Sequence, residues 1–187
     1  MAILFDDLKN ADLVIDEIYT SNGNNNSSGD VLCKLLTVGS LGGFRTRKVE
    51  ADKTKFAYIV LESTQNEIDW IDCVDIENGT VTYYGDNRTV GEMHQTKNKG
   101  NQILQFCFNQ MSSKEQRQNI PPFFFFTSAG GRNRKFIGLL VPGDNRLSKD
   151  EQLIALWRTK NQVRFQNYKA IFTILDVGKI DKLWLAY

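Results

Sequence analysis

Histidine is almost missing from these 187 residues, with His94 alone, and cysteine is sparse, at Cys33, Cys73 and Cys107. One histidine leaves little from which to build a nucleophilic triad or a zinc ligand set. Three widely spaced cysteines with no Cys-x-x-Cys exclude a disulfide scaffold and favour a reducing setting with buried thiols. No apolar run approaches the roughly 18 residues of a membrane span, and the N-terminus lacks a charged-then-apolar signal pattern. Without a secretion signal, the glycosylation patterns at Asn78-Gly79-Thr80 and Asn87-Arg88-Thr89 read as chance. There is no Gly-x-Ser-x-Gly elbow, no glycine-rich phosphate loop ending in Lys-Ser/Thr and no dinucleotide fingerprint. Asp69, Asp72, Asp75 and Glu77 form an acidic stretch that reads as solvated rather than as a metal site. The expectation is a cytoplasmic chain with no catalytic residues, no cofactor and no metal.

What is present is a folded composition: 41% hydrophobic, 24% charged and only 3 prolines, enough for one domain over 1–187 with a buried core. The net charge of +1 argues neither for nor against a polyanionic partner. Its distribution says more. Asp6, Asp7, Asp12, Asp16, Glu17 and Asp30 face only Lys9 in the opening stretch, whereas Arg88, Lys97, Lys99, Lys114, Arg117, Arg132, Arg134 and Lys135 outnumber the acids between Asp86 and Phe136. Such a basic region is compatible with nucleic acid.

Along the chain, Leu13–Tyr19 reads as a strand and Asp30 as the cap of a short helix carrying Val31, Leu32, Leu35 and Leu36 on one face. Gly42-Gly43-Phe44-Arg45 is either a plain loop or a place where backbone approaches a ligand with an arginine beside it. Phe56–Glu62 and Thr80–Tyr84 read as strands. The Trp70 loop between them is open to two readings, a lid on a core or a stacking platform. Tyr83-Tyr84-Gly85-Asp86-Asn87-Arg88 places rings, a carboxylate, an amide and a guanidinium within a few residues, which suits a pocket for a planar base and equally suits a hairpin end. Asn101–Phe108 fits a helix whose N-terminus follows the Lys97–Lys99 loop and can either hold a phosphate or be a solvated entry to a core helix. Phe123–Phe126 and Lys135–Val141 bracket a Gly130-Gly131 turn with Arg132, Asn133 and Arg134 at its tip. Leu153–Arg158 and Tyr168–Leu175 read as strands joined by a loop with Lys160 and Arg164. Six to eight strands and two or three short helices make an α+β domain with a strongly curved sheet or partial barrel.

Several of these pieces, in this order, resemble the N-terminal recognition domain of modification-dependent restriction endonucleases of the AspBHI and MspJI type. They are Gly42–Arg45, the Trp70 loop, Gly79–Arg88, Lys99-Gly100-Asn101, the Pro121–Gly143 hairpin, and Arg164–Tyr168 leading into Phe172–Val177. The resemblance implies an SRA-like (PUA-like) curved β-barrel flanked by short helices. It also implies binding of duplex DNA with 5-methylcytosine or 5-hydroxymethylcytosine by base flipping, in a prokaryotic cytoplasm, with cleavage left to a separate C-terminal nuclease domain. On it, Asp86 accepts the cytosine N4 amine, and Tyr84 and Trp70 stack on the base, with Tyr83 the alternative ring. Arg45, Arg88, Lys97, Lys99, Arg132, Arg134 and Arg164 go to phosphates or grooves, with Gly42, Gly43, Asn87, Asn101 and Asn133 beside the DNA. Leu41 stands where relatives carry a polar residue. The alternatives are a PUA-like reader of a modified base in single-stranded RNA and a generic DNA-binding barrel.

Overall fold

The computed structural model describes residues 2–40, 42–64 and 69–186. Leu41 and the start of the tryptophan loop, 66–68, lie outside the described residues. Two compact units form: residues 1–65, 122–139 and 175–187 make the first, and 66–121 with 140–174 the second. No helix is long and apolar enough to cross a membrane among the described residues.

In the first unit, β1 (Ala2–Ile3), β2 (Leu13–Val14) and β3 (Ile18–Tyr19) precede α1 (Val31–Leu36), β4 (Phe44–Lys48) and β5 (Phe56–Ser63). The single strand expected over Leu13–Tyr19 is broken in two because Asp16 adopts φ 65°, and its carboxylate pairs with Lys135 at 2.6 Å. The second unit opens with β6 (Cys73–Asp75), β7 (Thr80–Tyr84), α2 (Gly100–Asn109) and α3 (Lys114–Arg117). The chain then returns to the first unit with β8 (Phe123–Ser128) and the start of β9 (Arg134–Pro142). From Leu140 it continues into the second with α4 (Lys149–Gln152), β10 (Leu153–Lys160) and β11 (Val163–Ile174), and β12 (Lys179–Ile180) closes the first.

β4, β5, β8 and β9 are successive neighbours, with β5 and β8 parallel from Ile59↔Phe123 to Ser63↔Thr127. A parallel strand covered on both faces needs a continuous apolar run, and Phe123–Phe126 supplies it, every ring fully buried. Phe124 and Phe126 join Leu32, Leu35, Leu36, Tyr19 and Tyr58 in the core of this unit. The expected Gly-Gly turn forms between β8 and β9, with Gly130 at φ 92° and Gly131 at φ 53°. In the second unit β11 pairs with β9, β7 and β10, and β7 with β6. The path of strand pairing therefore ends at β4 and at β6, and among the described strands no pairing joins these two ends into the expected barrel. β6 is only three residues long, and β4 is irregular at Arg47/Lys48 and carries charge at that end, features that end a sheet rather than extend it.

Under the first unit lies a buried ionic chain. Asp30 caps α1 through its Oδ1, which accepts from Cys33 N at 3.1 Å, and it also receives Arg45 Nη1 at 2.8 Å. Arg45 donates its other terminal nitrogen to Glu62 Oε2 at 2.5 Å, and Arg134 Nε reaches Glu62 Oε1 at 2.7 Å. Burial alone would raise the Asp30 carboxyl, but the Arg45 guanidinium overrides it and holds the group below the usual carboxylate range. A lowered folded value means that this stability is present above the unfolded pKa of about 3.9 and is lost as pH falls through the folded one. Asp30→Asn keeps a capping side chain but leaves Arg45 half-paired, so it should remove about 3 kcal/mol at neutral pH. Thermal unfolding from about pH 7 down to pH 3 should show the gap between wild type and variant closing below about pH 4.

Candidate functional site

The side chains that suit a planar ligand come together within the second unit. β7 alternates, so Tyr83 is only 3% exposed while Tyr84 is half-buried on the opposite face. Tyr84 meets Trp70: the rings lie 15° from parallel with centroids 6.5 Å apart. Trp70 sits in the left-handed region at φ 57°. Its ring is held by the edge of Phe165 at 5.6 Å and by the Arg158 guanidinium 5.4 Å above it. Arg158 in turn pairs with Asp69.

Arg88 joins the two ring-bearing segments. Its Nη1 donates to the Trp70 carbonyl at 3.1 Å, its Nη2 to that of Tyr84 at 3.2 Å and its Nε to that of Gly85 at 3.1 Å. Asp72, 7% exposed, accepts from Tyr84 N at 2.7 Å and stands 3.7 Å from Arg88. Burial and the Asp72 carboxylate push the Tyr84 phenol up. The guanidinium expected on a phosphate is thus engaged in positioning the rings.

Asp86 leaves β7 and points at the start of α2. Its Oδ2 accepts from Gly100 N and its Oδ1 from Asn101 N, both at 2.9 Å, at a helix end that attracts anions. Each oxygen keeps a further lone-pair site. A Cβ on Gly100 would stand 2.7 Å from the Asp86 carboxyl carbon, so this approach requires glycine. Gly85 is tighter still: a Cβ there would lie 1.7 Å from Asn101 Oδ1 and 2.6 Å from Asn167 Oδ1. Three buried amides close around the turn. Asn167 Nδ2 donates to Gly85 O at 2.9 Å, and Asn101 Nδ2 donates to Asn167 Oδ1 at 3.0 Å and Met93 O at 2.8 Å. Asn87 Nδ2 donates to Gln166 O at 2.7 Å. Asn87 and Asn101, expected beside DNA, are 5% and 0% exposed and serve as internal braces.

The remaining expected residues separate by environment. Lys97, Lys99 and Arg164 are exposed on the second unit. In the first unit Gly42 is exposed at φ 69°, whereas Arg45, expected on a phosphate, is 7% exposed and paired with Asp30 and Glu62. Arg134 is held by Glu62 in the same way. Arg132 Nη1 donates to the carbonyls of Asn24 and Asn26, both at 2.7 Å, and Asn133 Oδ1 accepts from Ser21 N at 2.9 Å. Gly43 is half-buried and its carbonyl accepts from Glu62 N at 2.7 Å. Sequence reasoning did not single out Arg158, at the end of an expected strand, or Phe165 and Asn167, in the expected loop after it, as supports of Trp70 and Gly85. Among the described residues no three or more His, Cys, Asp or Glu side chains gather as metal ligands. Asp69 faces Arg158, Asp72 faces Tyr84 N and Asp75 accepts from Asn78 N at 3.0 Å.

Residues 13–187 match the family model described as restriction endonuclease AspBHI N-terminal. The DNA recognition domain of the cytosine modification-dependent restriction endonuclease LpnPI is 37% identical, with a TM-score of 0.92 over all of this chain and 84% of that one. The DNA modification-dependent restriction endonuclease AspBHI is 38% identical, with a TM-score of 0.89 over all of this chain but 48% of that one, so this chain spans about half its length. MspJI in complex with a 27-mer oligonucleotide shares the fold at 19% identity, with a TM-score of 0.68 over 95% of this chain and 46% of that one. No curated protein matches the sequence.

Gly85→Ala should force Asn101 and Asn167 apart, at about 1–3 kcal/mol for overpacking a tight site. For a chain of this size that is a drop of about 2–4 °C per kcal/mol in Tm, read by thermal unfolding. An unchanged Tm would mean that the amide bracket yields freely.

Proposed function

The chain belongs to the restriction endonuclease AspBHI N-terminal family, whose members serve as DNA recognition domains of modification-dependent restriction enzymes, and on that premise we propose that it binds duplex DNA containing 5-methylcytosine or 5-hydroxymethylcytosine by flipping the modified base out of the stack. The observation that carries this reading is the Trp70–Tyr84 ring pair. The two rings lie 15° from parallel with centroids 6.5 Å apart, aromatic faces of the kind on which an extruded base stacks. In this reading the flipped base stacks on these rings, and Asp86, with lone-pair sites to spare, accepts from the N4 amine of a cytosine. Stacking and the edge hydrogen bond offset the few kcal/mol of unpairing and unstacking.

The choice of cytosine draws on the similarity to LpnPI, a cytosine modification-dependent restriction endonuclease. Methyl and hydroxymethyl differ by one hydroxyl, which an apolar pocket separates poorly, so both belong to the proposed ligand class. Residues 1–187 act in this reading as one SRA-like recognition domain in a prokaryotic cytoplasm, without cofactor. Cleavage belongs to a nuclease domain of the kind that the remaining half of AspBHI has room for. Lys97 and Lys99, exposed before α2, supply phosphate contacts.

Matched short duplexes carrying cytosine, 5-methylcytosine or 5-hydroxymethylcytosine provide the test. Wild type should prefer the modified duplexes at least about tenfold. Tyr84→Ala should weaken that binding by about 1–3 kcal/mol, the usual worth of a base–aromatic stack, and abolish the preference. Asp86→Ala should do the same, with thermal unfolding run alongside because it also frees the start of α2. Equal, salt-sensitive binding to all three duplexes would overturn base flipping. A preference for single-stranded RNA would favour the other PUA-like reading.

A further inference from the structure

Residues 159–167, expected as a loop between the last two long strands, form the closed end of a β-ribbon. β10 and β11 pair without interruption from Lys160↔Val163 to Leu153↔Ala170, closed by Asn161 and Gln162 at φ 50° and 64°. Two successive positive φ values mark the type I′ turn that suits a twisted two-stranded hairpin. β7 joins β11 only from Lys169, and β9 only from Phe172. At the tip, Val163 and Arg164 have β10 as their one hydrogen-bonded neighbour among the described strands; from Phe165 on, β11 carries the buried Phe165, Asn167 and Tyr168 and is bonded to the turn after β7, Gln166 O accepting from Asn87 Nδ2 and Tyr168 O from Gly85 N at 2.9 Å.

Its two faces differ. One carries Arg158 and Phe165, cross-strand partners that hold the Trp70 ring. On the other, the partners Trp157↔Gln166 and Thr159↔Arg164 lie side by side. Trp157 is 62% exposed and Arg164 is exposed. The side chains of Trp157, Arg164 and Gln166 make no hydrogen bond, ion pair or ring contact among the described residues. No Asp or Glu occurs between Leu153 and Leu175, while Arg158, Lys160, Arg164 and Lys169 do. A cationic, acid-free ribbon with an unpartnered aromatic fits a polyanion. The B-DNA major groove, about 12 Å wide, admits a two-stranded ribbon, and Arg and Gln are the side chains that bond guanine and adenine edges there.

We propose that the β10–β11 ribbon enters the major groove beside the modified base and reads flanking base pairs through Arg164 and Gln166, with Trp157 as its apolar contact. This rests on the duplex-binding part of the proposed function but not on base flipping.

The test uses the full chain and a duplex library with one fixed 5-methylcytosine and randomised flanks, sequencing the bound fraction, with fixed-sequence duplexes for affinity. Wild type should select a base at one or more flanking positions. Arg164→Ala should flatten that selection and weaken the preferred duplex by roughly 5- to 150-fold. Trp157→Ala should weaken it at least several-fold. Neither should change the ratio of modified to unmodified binding, which Tyr84→Ala changes instead. If wild type ignores modification yet the ribbon variants still lose flanking selection, the base-pocket reading falls and the ribbon stands. Wild-type flanks and affinity in both ribbon variants, or weaker binding with selection unchanged, would overturn base reading by the ribbon, as would absence of any duplex binding.

Discussion

Three buried amides closing on a glycine that has no room for a side chain constrain nearly everything of interest in the second unit. Asn167, reaching Gly85 O from β11, and Asn101, at the start of α2, meet over that turn. The turn aims Asp86 at the helix N-terminus, where its two oxygens accept two N–H groups. Burying amides is unfavourable unless they are hydrogen-bonded, and here the bonds connect a strand, a helix and a turn. A carboxylate so fixed does not search for its geometry when a ligand arrives, which is what preorganisation means for recognition.

The first unit handles charge differently. Asp30, Arg45, Glu62 and Arg134 alternate in sign along a buried chain of contacts. Buried ion pairs are weak evidence of net stability, because desolvation opposes the attraction. Their effect here is to join the cap of α1, the interior of β4 and β5, and the start of β9 at one place. Arginines so committed contribute little to a phosphate surface. Exposed cations remain for a polyanion in the second unit, among them Lys97, Lys99, Lys160 and Arg164. Near-neutral overall charge is therefore no obstacle to DNA binding, because association responds to the local field rather than the sum.

The ring pair shows how support and function divide. Trp70 and Tyr84 present their faces, while Arg88, Asp72, Phe165 and Arg158 hold them from carbonyls, amide and edge. Loss of a supporting residue would act through ring position rather than through contact with a base. Arg88 and Asp86 are two residues apart in a motif that suggested both as ligand contacts. One is turned to backbone carbonyls and the other to a helix end.

Local chemistry was legible in the sequence. The Asp30 cap, the buried Phe123–Phe126 strand, the Gly130-Gly131 turn and the α2 helix follow from capping preference, burial of a continuous apolar run, positive φ at glycine and helical spacing, all properties of neighbouring residues. The family was legible too, because its motifs lie in order along the chain. Partnership across long separations was not. Whether Arg45 meets a phosphate or Glu62, and whether Asn101 touches DNA or Asn167, depends on which distant residue the fold brings within 3 Å. The Asn161-Gln162 turn carries no glycine, so the end of the β10–β11 ribbon, residues 159–167, read as loop, and the path's ends at β4 and β6 depended on strand edges that no local pattern records. Sequence by itself determined the elements and the family. Tertiary structure alone decided which charges are buried in pairs and which remain to meet a ligand, because desolvation and pairing are properties of assembled neighbours.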